Sequence, residues 1–293
     1  MQQTNLIGQT ASNERLSFVR SALRRQTPDE TTDGRACPLC ASHGTLVRYF
    51  RKPRFNRCQT CGAVSRDPFP TEIELQHLYR SSWADHDAHV DETGGTELAL
   101  GRLIVAALLR ELGLAGFAGR HILDFGAGRG GLSMALREMA GQVVAVEPFG
   151  YEQLQHLGLP VYRGLDELPP TLLFDGAVMV EVLEHLRDPH DLLRGLQLRL
   201  KPGGWLLLTT PNPRGLAAML RRDRWGSASN AGHILFYAAS TLTRLLCDHG
   251  FTDIKQTRWL LRFPNVSPVR AVIQSGLQLF HLGGGLRFLA FKA

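Results

Sequence analysis

Apolar and polar positions along this chain recur in two periods, and the switch between them maps its elements. Residues 98–112 place apolar side chains at helical spacing, which predicts an amphipathic helix ended by Gly113. His121-Ile122-Leu123-Asp124 then reads as a short buried strand, 131–139 as a helix, 142–146 as a second strand and 159–162 as a weak third. Residues 176–180 are apolar throughout, as a central strand of a parallel sheet requires. A helix over 189–200 is stopped by Lys201-Pro202-Gly203-Gly204, and a fifth strand over 205–209 is halted by Pro211-Asn212-Pro213. A helix over 240–248 ends at His249-Gly250, and 252–259 with 286–291 read as a last pair of strands. In that helix Cys247 is expected in the core with Leu242, Leu245 and Leu246. Repeated β-α units predict an α/β fold with a parallel sheet covered on both faces.

The front of the chain follows other rules. Residues 1–35 are polar with a basic helical pattern around Arg15 to Arg25, and fraying is expected there. Residues 36–70 hold the paired cysteines and close on Asp67-Pro68-Phe69-Pro70. Residues 71–116 read as a helical linker and lid: Thr71-Glu72-Ile73-Glu74 starts a helix with Leu75 and Leu78 on one face, and 82–95, rich in His, Asp and Gly, reads as a loop. Residues 117–293 form the α/β domain, in which 261–283 is an insertion with an apolar face from Val272, Ile273, Leu277 and Phe280. There is no apolar run of about 18 residues and no apolar leader, so neither a membrane span nor a signal peptide is expected, and the expected compartment is the cytoplasm.

Four of the five cysteines form two pairs, Cys37-Pro38-Leu39-Cys40 and Cys58-Gln59-Thr60-Cys61. Two residues between thiolates let both reach one ion from a tight knuckle, and four thiolates suit a closed, structural zinc site. Gly62 fits the turn after the second pair. The net charge of +6 lies entirely in the first 70 residues, which hold eleven Lys or Arg against five Asp or Glu; the remainder holds 22 of each. Between the knuckles, Arg48, Tyr49, Phe50, Arg51, Lys52, Arg54, Phe55 and Arg57 mix basic and aromatic character. Such a hairpin either stacks on bases and touches phosphates, or packs its rings on the next domain with the arginines outward.

Asp124-Phe125-Gly126-Ala127-Gly128-Arg129-Gly130 joins a strand to a helix, the context a glycine-rich ligand loop needs. The register differs from the GxGxxG of dinucleotide binders. The acid ahead of it disfavours a pyrophosphate and suits a cofactor carrying an amino acid and a sulfonium cation. Glu147 ends the next strand, where a carboxylate takes hydrogen bonds from both hydroxyls of a ribose.

Together with Phe174-Asp175-Gly176-Ala177-Val178, Glu181-Val182-Leu183-Glu184-His185-Leu186 and Leu200-Lys201-Pro202-Gly203-Gly204, these segments resemble the class I S-adenosylmethionine-dependent methyltransferases over roughly residues 96–260. The cysteine pairs extend the likeness to zinc-ribbon methyltransferases of sugar and natural-product type, whose longer members carry a further C-terminal domain for which no counterpart is expected here. The resemblance implies a Rossmann-like doubly wound sheet with a small N-terminal zinc ribbon. It implies that Asp124, Phe125, Gly126 and Gly128 line the methionine end of S-adenosylmethionine, that Glu147 with Pro148 holds the ribose, and that Glu181 borders the cofactor. Asp166 is the candidate for the acid near the adenine.

Methyl transfer is an in-line displacement, and the protein supplies alignment, a dry site and, for a hydroxyl acceptor, a base. His233 is the preferred base, with Glu184 and His185 as further catalytic candidates. Glu181, Glu184, His185 and His233 also look like the ExxEH…H metal site of small-RNA 3′-end 2′-O-methyltransferases, and a similar segment occurs in ubiquinone-pathway O-methyltransferases. Zinc at Cys37, Cys40, Cys58 and Cys61 is therefore the expected metal, and a second divalent cation at Glu181, Glu184, His185 and His233 is the alternative to the reading in which Glu184 and His185 only cap the strand-helix turn. The expected acceptor is a small molecule, at a hydroxyl or a sugar-like carbon. The alternative is RNA, methylated on a ribose 2′-oxygen with the ribbon gripping nucleic acid. Base-amine methylation is disfavoured, because no Asn/Asp-Pro-Pro-aromatic segment follows the fourth strand. Tyr79 and Trp83 are expected over the substrate pocket, and Arg221, Arg222, Arg224 and Trp225 fall where substrate recognition is often inserted.

Overall fold

The computed structural model describes residues 35–44, 46–87, 90–114, 117–259, 276–277 and 282–293, with the backbone alone for 84–87 and 90–95. The expected frayed segment and almost all of the 261–283 insertion lie outside them.

The main sheet has seven strands in the order β10-β11-β8-β7-β4-β5-β6. These are β4 (His121–Phe125), β5 (Gln142–Val146), β6 (Val161–Tyr162), β7 (Phe174–Val180), β8 (Leu200–Pro211), β10 (Phe251–Gln256) and β11 (Gly285–Lys292). Strands β4 to β8 run parallel, and β11 enters antiparallel between β8 and β10. The strand order reverses beside β4, so the carboxyl ends of β4 and β7 open onto the crevice where such sheets bind ligands. Side chains alternate between two cores as a pleat demands. Leu123, Ala177, Met179, Leu206, Leu208 and Phe288 enter one, while Ile122, Val178, Trp205, Leu207 and Leu289 enter the other with Ile104, Leu108 and Phe117.

A second sheet, β1-β2-β3-β9, joins the cysteine module to the main domain. Strands β1 (Leu46–Phe50), β2 (Phe55–Cys58) and β3 (Val64–Arg66) form the ribbon, and β3 pairs antiparallel with β9 (Leu235–Phe236), which comes from the main domain. Cys37, Leu39, Cys58, Cys61 and Ala63 share one core with Tyr237, Leu242 and Leu246. The ribbon is thus built into the domain rather than hung from it.

Three expectations are corrected. Residues 82–95 are helical over most of their length: helix α1 spans Glu72–Asp87 and α2 spans Val90–Leu112. The stretch contains no proline. Its two glycines cost about 1 kcal/mol each, and the helices are anchored at their far ends by Leu75 and by Ile104, Val105 and Leu108. A capping box starts α1, with Glu74 Oε2 accepting the Thr71 N–H at 2.7 Å and Thr71 Oγ1 accepting the Glu74 N–H at 3.3 Å. The Lys201–Gly204 turn does not delay β8. Phe174 pairs with Leu200 and Gly176 with Trp205, so the turn is a bulge within the ladder. Cys247 is exposed. On its helix, Ala239–Asp248, the buried residues are Thr241, Leu242, Leu245 and Leu246, and position 247 falls instead on the outward face with Thr243. Among the described residues no helix is long and apolar enough to cross a membrane.

Candidate active site

The loop after β4 is built by alternate left-handed residues: Gly126, Gly128 and Gly130 have φ of 73, 55 and 84°. At Gly126 the alternative is closed twice over, since a Cβ would also lie 2.4 Å from Val182 Cγ2. At Gly128 a Cβ would meet nothing within 4 Å, so the loop's backbone faces open space on the ligand side. Glu147 ties the loop to the end of β5. Its Oε2 accepts the Gly128 N–H at 3.0 Å, and its Oε1 accepts those of Phe149 at 3.0 Å and Gly150 at 3.5 Å. Pro148 is exposed, and its carbonyl accepts from Arg163 at 3.3 Å. A cavity of about 450 Å³ opens beside Phe125 and is bounded by Gly164, Leu165, Asp166 and Leu186.

Asp124 is buried and accepts the Ser133 hydroxyl at 2.6 Å. Burial holds its carboxyl up at about 7, with the Glu147 charge adding to this and Ser133 opposing it. The folded carboxyl therefore keeps its proton to about pH 7, while the unfolded one ionises near 3.8. The stability from this group is complete below the lower value and is lost as pH rises to the upper. Asp124→Asn removes the titration. Its stability relative to wild type is expected to climb from about pH 4 to 7 by up to roughly 4 kcal/mol, read from denaturant melts across that range.

Beyond β7 the chain turns sharply. Glu181 adopts φ 55°, and a short 3-10 turn, Leu183–His185, follows. The turn brings Glu184 and His185 together with His233, placing one ligand atom of each within 4.8 Å of the others. Glu181 is not in that group; its Oε1 accepts Thr209 Oγ1 at 3.1 Å. Glu184 has no exposed surface. Thr210 Oγ1 donates to its Oε2 at 2.9 Å, whereas its Oε1 has no hydrogen-bond partner and lies 3.9 Å from His233 Nε2. Burial, then the adjacent Glu181 carboxylate, pushes Glu184 well above the usual range. Burial lowers His185 and His233 to about 4, so both rings are neutral near pH 7. The rings lie 4.6 Å apart edge to face. His233 Nδ1 is buried and also lacks a partner, while Nε2 meets Asn230 Nδ2 at 3.2 Å.

Helix α1 closes over this cluster. Tyr79 Oη lies 3.2 Å from His185 Nδ1 and 3.1 Å from the Gly232 carbonyl, and its ring packs on Phe149 beside Glu147. A Cβ on Gly150 would strike Trp83. Tyr79 thus bridges Phe149 and His185, while Trp83 lies against Gly150.

In the ribbon the four sulfurs also converge. Cys37 to Cys61 and Cys40 to Cys58 are each 3.7 Å apart, and all four lie within 4.8 Å of one another. A tetrahedron with Zn–S bonds of about 2.3 Å has edges of about 3.8 Å. Each knuckle ends in a left-handed residue, Ala41 at φ 56° and Gly62 at 80°. The hydrogen bond between the two sulfurs lowers the Cys37 thiol to about 5 and raises that of Cys61. Phe50 and Phe55 are buried against Trp225 and Phe236. The stacking role open to these two rings is thereby lost, while Arg51, Arg54, Arg221, Arg222 and Arg224 face solvent. Trp225 belongs to the same core and does not face a ligand.

Sequence reasoning missed the hydroxyls that hold the two glutamates, Thr209 and Thr210, and it missed Arg287 on β11. A Thr-Thr pair at the carboxyl end of a buried strand was the available signal for the first two. Arg287 gave none, since its strand joins the site only through antiparallel pairing with β8.

A family model described as a methyltransferase domain matches residues 98–256. The ubiquinone biosynthesis O-methyltransferase of Chromobacterium violaceum is 36% identical over 117 residues, covering 36% of this chain and 50% of that protein. The tRNA U34 carboxymethyltransferase of Citrifermentans bemidjiense is 34% identical over 153 residues, covering 47% and 46%. The chain spans about half the length of the curated relatives it matches. Among solved structures, 1,6-didemethyltoxoflavin-N1-methyltransferase of Burkholderia thailandensis covers 85% of this chain and 100% of its own, at TM-score 0.52 and 18% identity, a likeness of fold alone.

Proposed function

The chain belongs to the methyltransferase-domain family, and from that premise we propose that it transfers the methyl group of S-adenosylmethionine to a small-molecule acceptor, at a hydroxyl or a sugar-like carbon. The observation that carries this reading is the pairing of two sites at one sheet edge. The Gly126–Gly130 loop with Glu147 can take the cofactor, and a buried Glu184, His185 and His233 cluster with unpartnered atoms stands beside it. Gly126 and Gly128 beside Asp124 would hold the methionine end, Glu147 the ribose hydroxyls, and Phe125 and Asp166 the adenine. Tyr79 and Trp83 exclude water from above.

His233 is neutral near pH 7, so its ring can accept the acceptor's proton. His185 is held by Tyr79, and Glu184 by Thr210. Two imidazoles and a carboxylate with orphaned atoms also suit a divalent cation. Bound by Glu184, His185 and His233, it would hold an acceptor oxygen and lower its pKa. Cys37, Cys40, Cys58 and Cys61 would hold a structural zinc.

RNA is the second reading, favoured by the likeness to a tRNA U34 carboxymethyltransferase. The buried Phe50 and Phe55 favour the small molecule instead, since the hairpin's arginines lack these two rings as a stacking platform. The proposal is tested with labelled S-adenosylmethionine and His233→Ala. Transfer is expected to fall by about 10²–10³ with cofactor affinity unchanged. Full transfer by the variant would remove His233 from the chemistry.

A further inference from the structure

A second, smaller cavity lies across the sheet edge from the histidines. It holds about 160 Å³ and is bounded by Leu100 and Ile104 of α2, Trp259, and Glu181, Thr209 and Arg287. Its walls are apolar, yet a guanidinium and a carboxylate face into it. Arg287 and Thr209 are directly paired across β11 and β8. Thr209 donates to Glu181 at the end of β7, so three neighbouring strands line up Glu181, Thr209 and Arg287.

The row is incomplete at one place. Arg287 Nη1 is buried and has no hydrogen-bond partner among the described residues. Glu181 is near enough to bias the charge of Arg287, but the two make no ion pair within 4.0 Å. Gly285 lies beside the guanidinium, where a Cβ would be in ordinary contact at 3.7 Å from Nη2. Nor does the flanking chain offer a counter-charge, because no Asp or Glu follows Asp253 in the sequence. A buried guanidinium with a free donor costs stability unless an anion meets it. The planar fork of donors matches a carboxylate best.

We propose that this cavity is a carboxylate-recognition pocket, in which Arg287 grips the anion and Glu181, oriented by Thr209, accepts from a neighbouring hydroxyl or N–H of the same molecule. The volume is small for a whole drug-sized ligand, so the pocket takes a small acid or the acidic end of a larger one. It rests on the methyl-transfer reading only for the source of that carboxylate: the acceptor, or the methionine end of the cofactor. If it is the acceptor, the substrate is a small hydroxy- or amino-acid-like molecule.

The test uses the full chain, with benzoate and benzamide as probes of equal shape and different charge. S-adenosylhomocysteine and 5′-methylthioadenosine, which lacks the carboxylate, probe the cofactor side. Wild type is expected to prefer benzoate by tenfold or more, and Arg287→Gln to abolish the preference. Should Arg287→Gln instead weaken S-adenosylhomocysteine tenfold and spare methylthioadenosine, the pocket is confirmed and its carboxylate is the cofactor's. Glu181→Gln is a second variant, expected to tighten benzoate at least threefold by removing a nearby negative charge. No preference in wild type, with S-adenosylhomocysteine bound equally by wild type and Arg287→Gln, would overturn the pocket and leave the methyl-transfer reading standing. Failure of wild type to bind S-adenosylhomocysteine would sink that reading, while the benzoate comparison would still decide the pocket.

Discussion

Glu147→Ala is expected to weaken S-adenosylmethionine binding by on the order of a hundredfold or more. Two effects add. A carboxylate offers about four lone-pair directions, and the backbone N–H groups of Gly128, Phe149 and Gly150 occupy only part of them. The remaining direction can accept a ribose hydroxyl, such a charge-assisted bond being worth about 1.5–3 kcal/mol. The same truncation strips three loop N–H groups of their acceptor at the crossing between β5 and the Gly126–Gly130 turn, so the loop itself loses its tether. Glu147→Gln keeps one acceptor oxygen and is expected to fall between the two. Titration calorimetry with S-adenosylhomocysteine checks this. Affinity within threefold of wild type for the alanine variant would remove Glu147 as the ribose partner.

Stripping the ribbon's metal is expected to act at a distance from it. The purified chain should carry one zinc, and a strong chelator should lower its melting temperature sharply, because structural zinc sites supply on the order of 10 kcal/mol of folding free energy. The effect reaches the histidines by a short path. Cys58 and Cys61 flank the turn into β3, β3 pairs with β9, Arg66 N–H donates to the Ile234 carbonyl at 2.8 Å, and Arg66 Nε donates to the His233 carbonyl at 3.1 Å. Thr241 Oγ1 fixes the Cys61 carbonyl from the other side at 2.5 Å. Cofactor binding at the opposite half of the sheet should survive partial loss better than methyl transfer does. Cys58→Ser should reproduce the chelated state. A chain that binds no zinc and melts identically with and without chelator would contradict the structural role.

The parts of this molecule that were legible in its sequence are those set by local rules. Gly126, Gly128 and Gly130 announce left-handed backbone, Val143–Val146 and Gly176–Val180 announce buried parallel strands, and the CxxC pairs announce a cluster of four sulfurs. Local pattern failed where tertiary contact decided the outcome. The polar stretch 82–95 is helical because its neighbours are held at both ends. Phe50 and Phe55 looked able to stack on bases until Trp225 and Phe236, some 170 residues later in the chain, covered them. The ribbon's union with the domain depends on a two-residue strand, Leu235–Phe236, too short to leave a periodic signal. Arg287 reaches the site through an antiparallel strand inserted between β8 and β10, a pairing that no local spacing records.

The central claim is that this chain moves a methyl group from S-adenosylmethionine to a small molecule. Its most direct test is to incubate the protein with methyl-labelled cofactor and cell extract, then separate RNA, protein and small molecules. The account predicts label in the small-molecule fraction, lost with His233→Ala and with Glu147→Ala. Label confined to RNA would contradict it and make the ribbon a nucleic-acid grip.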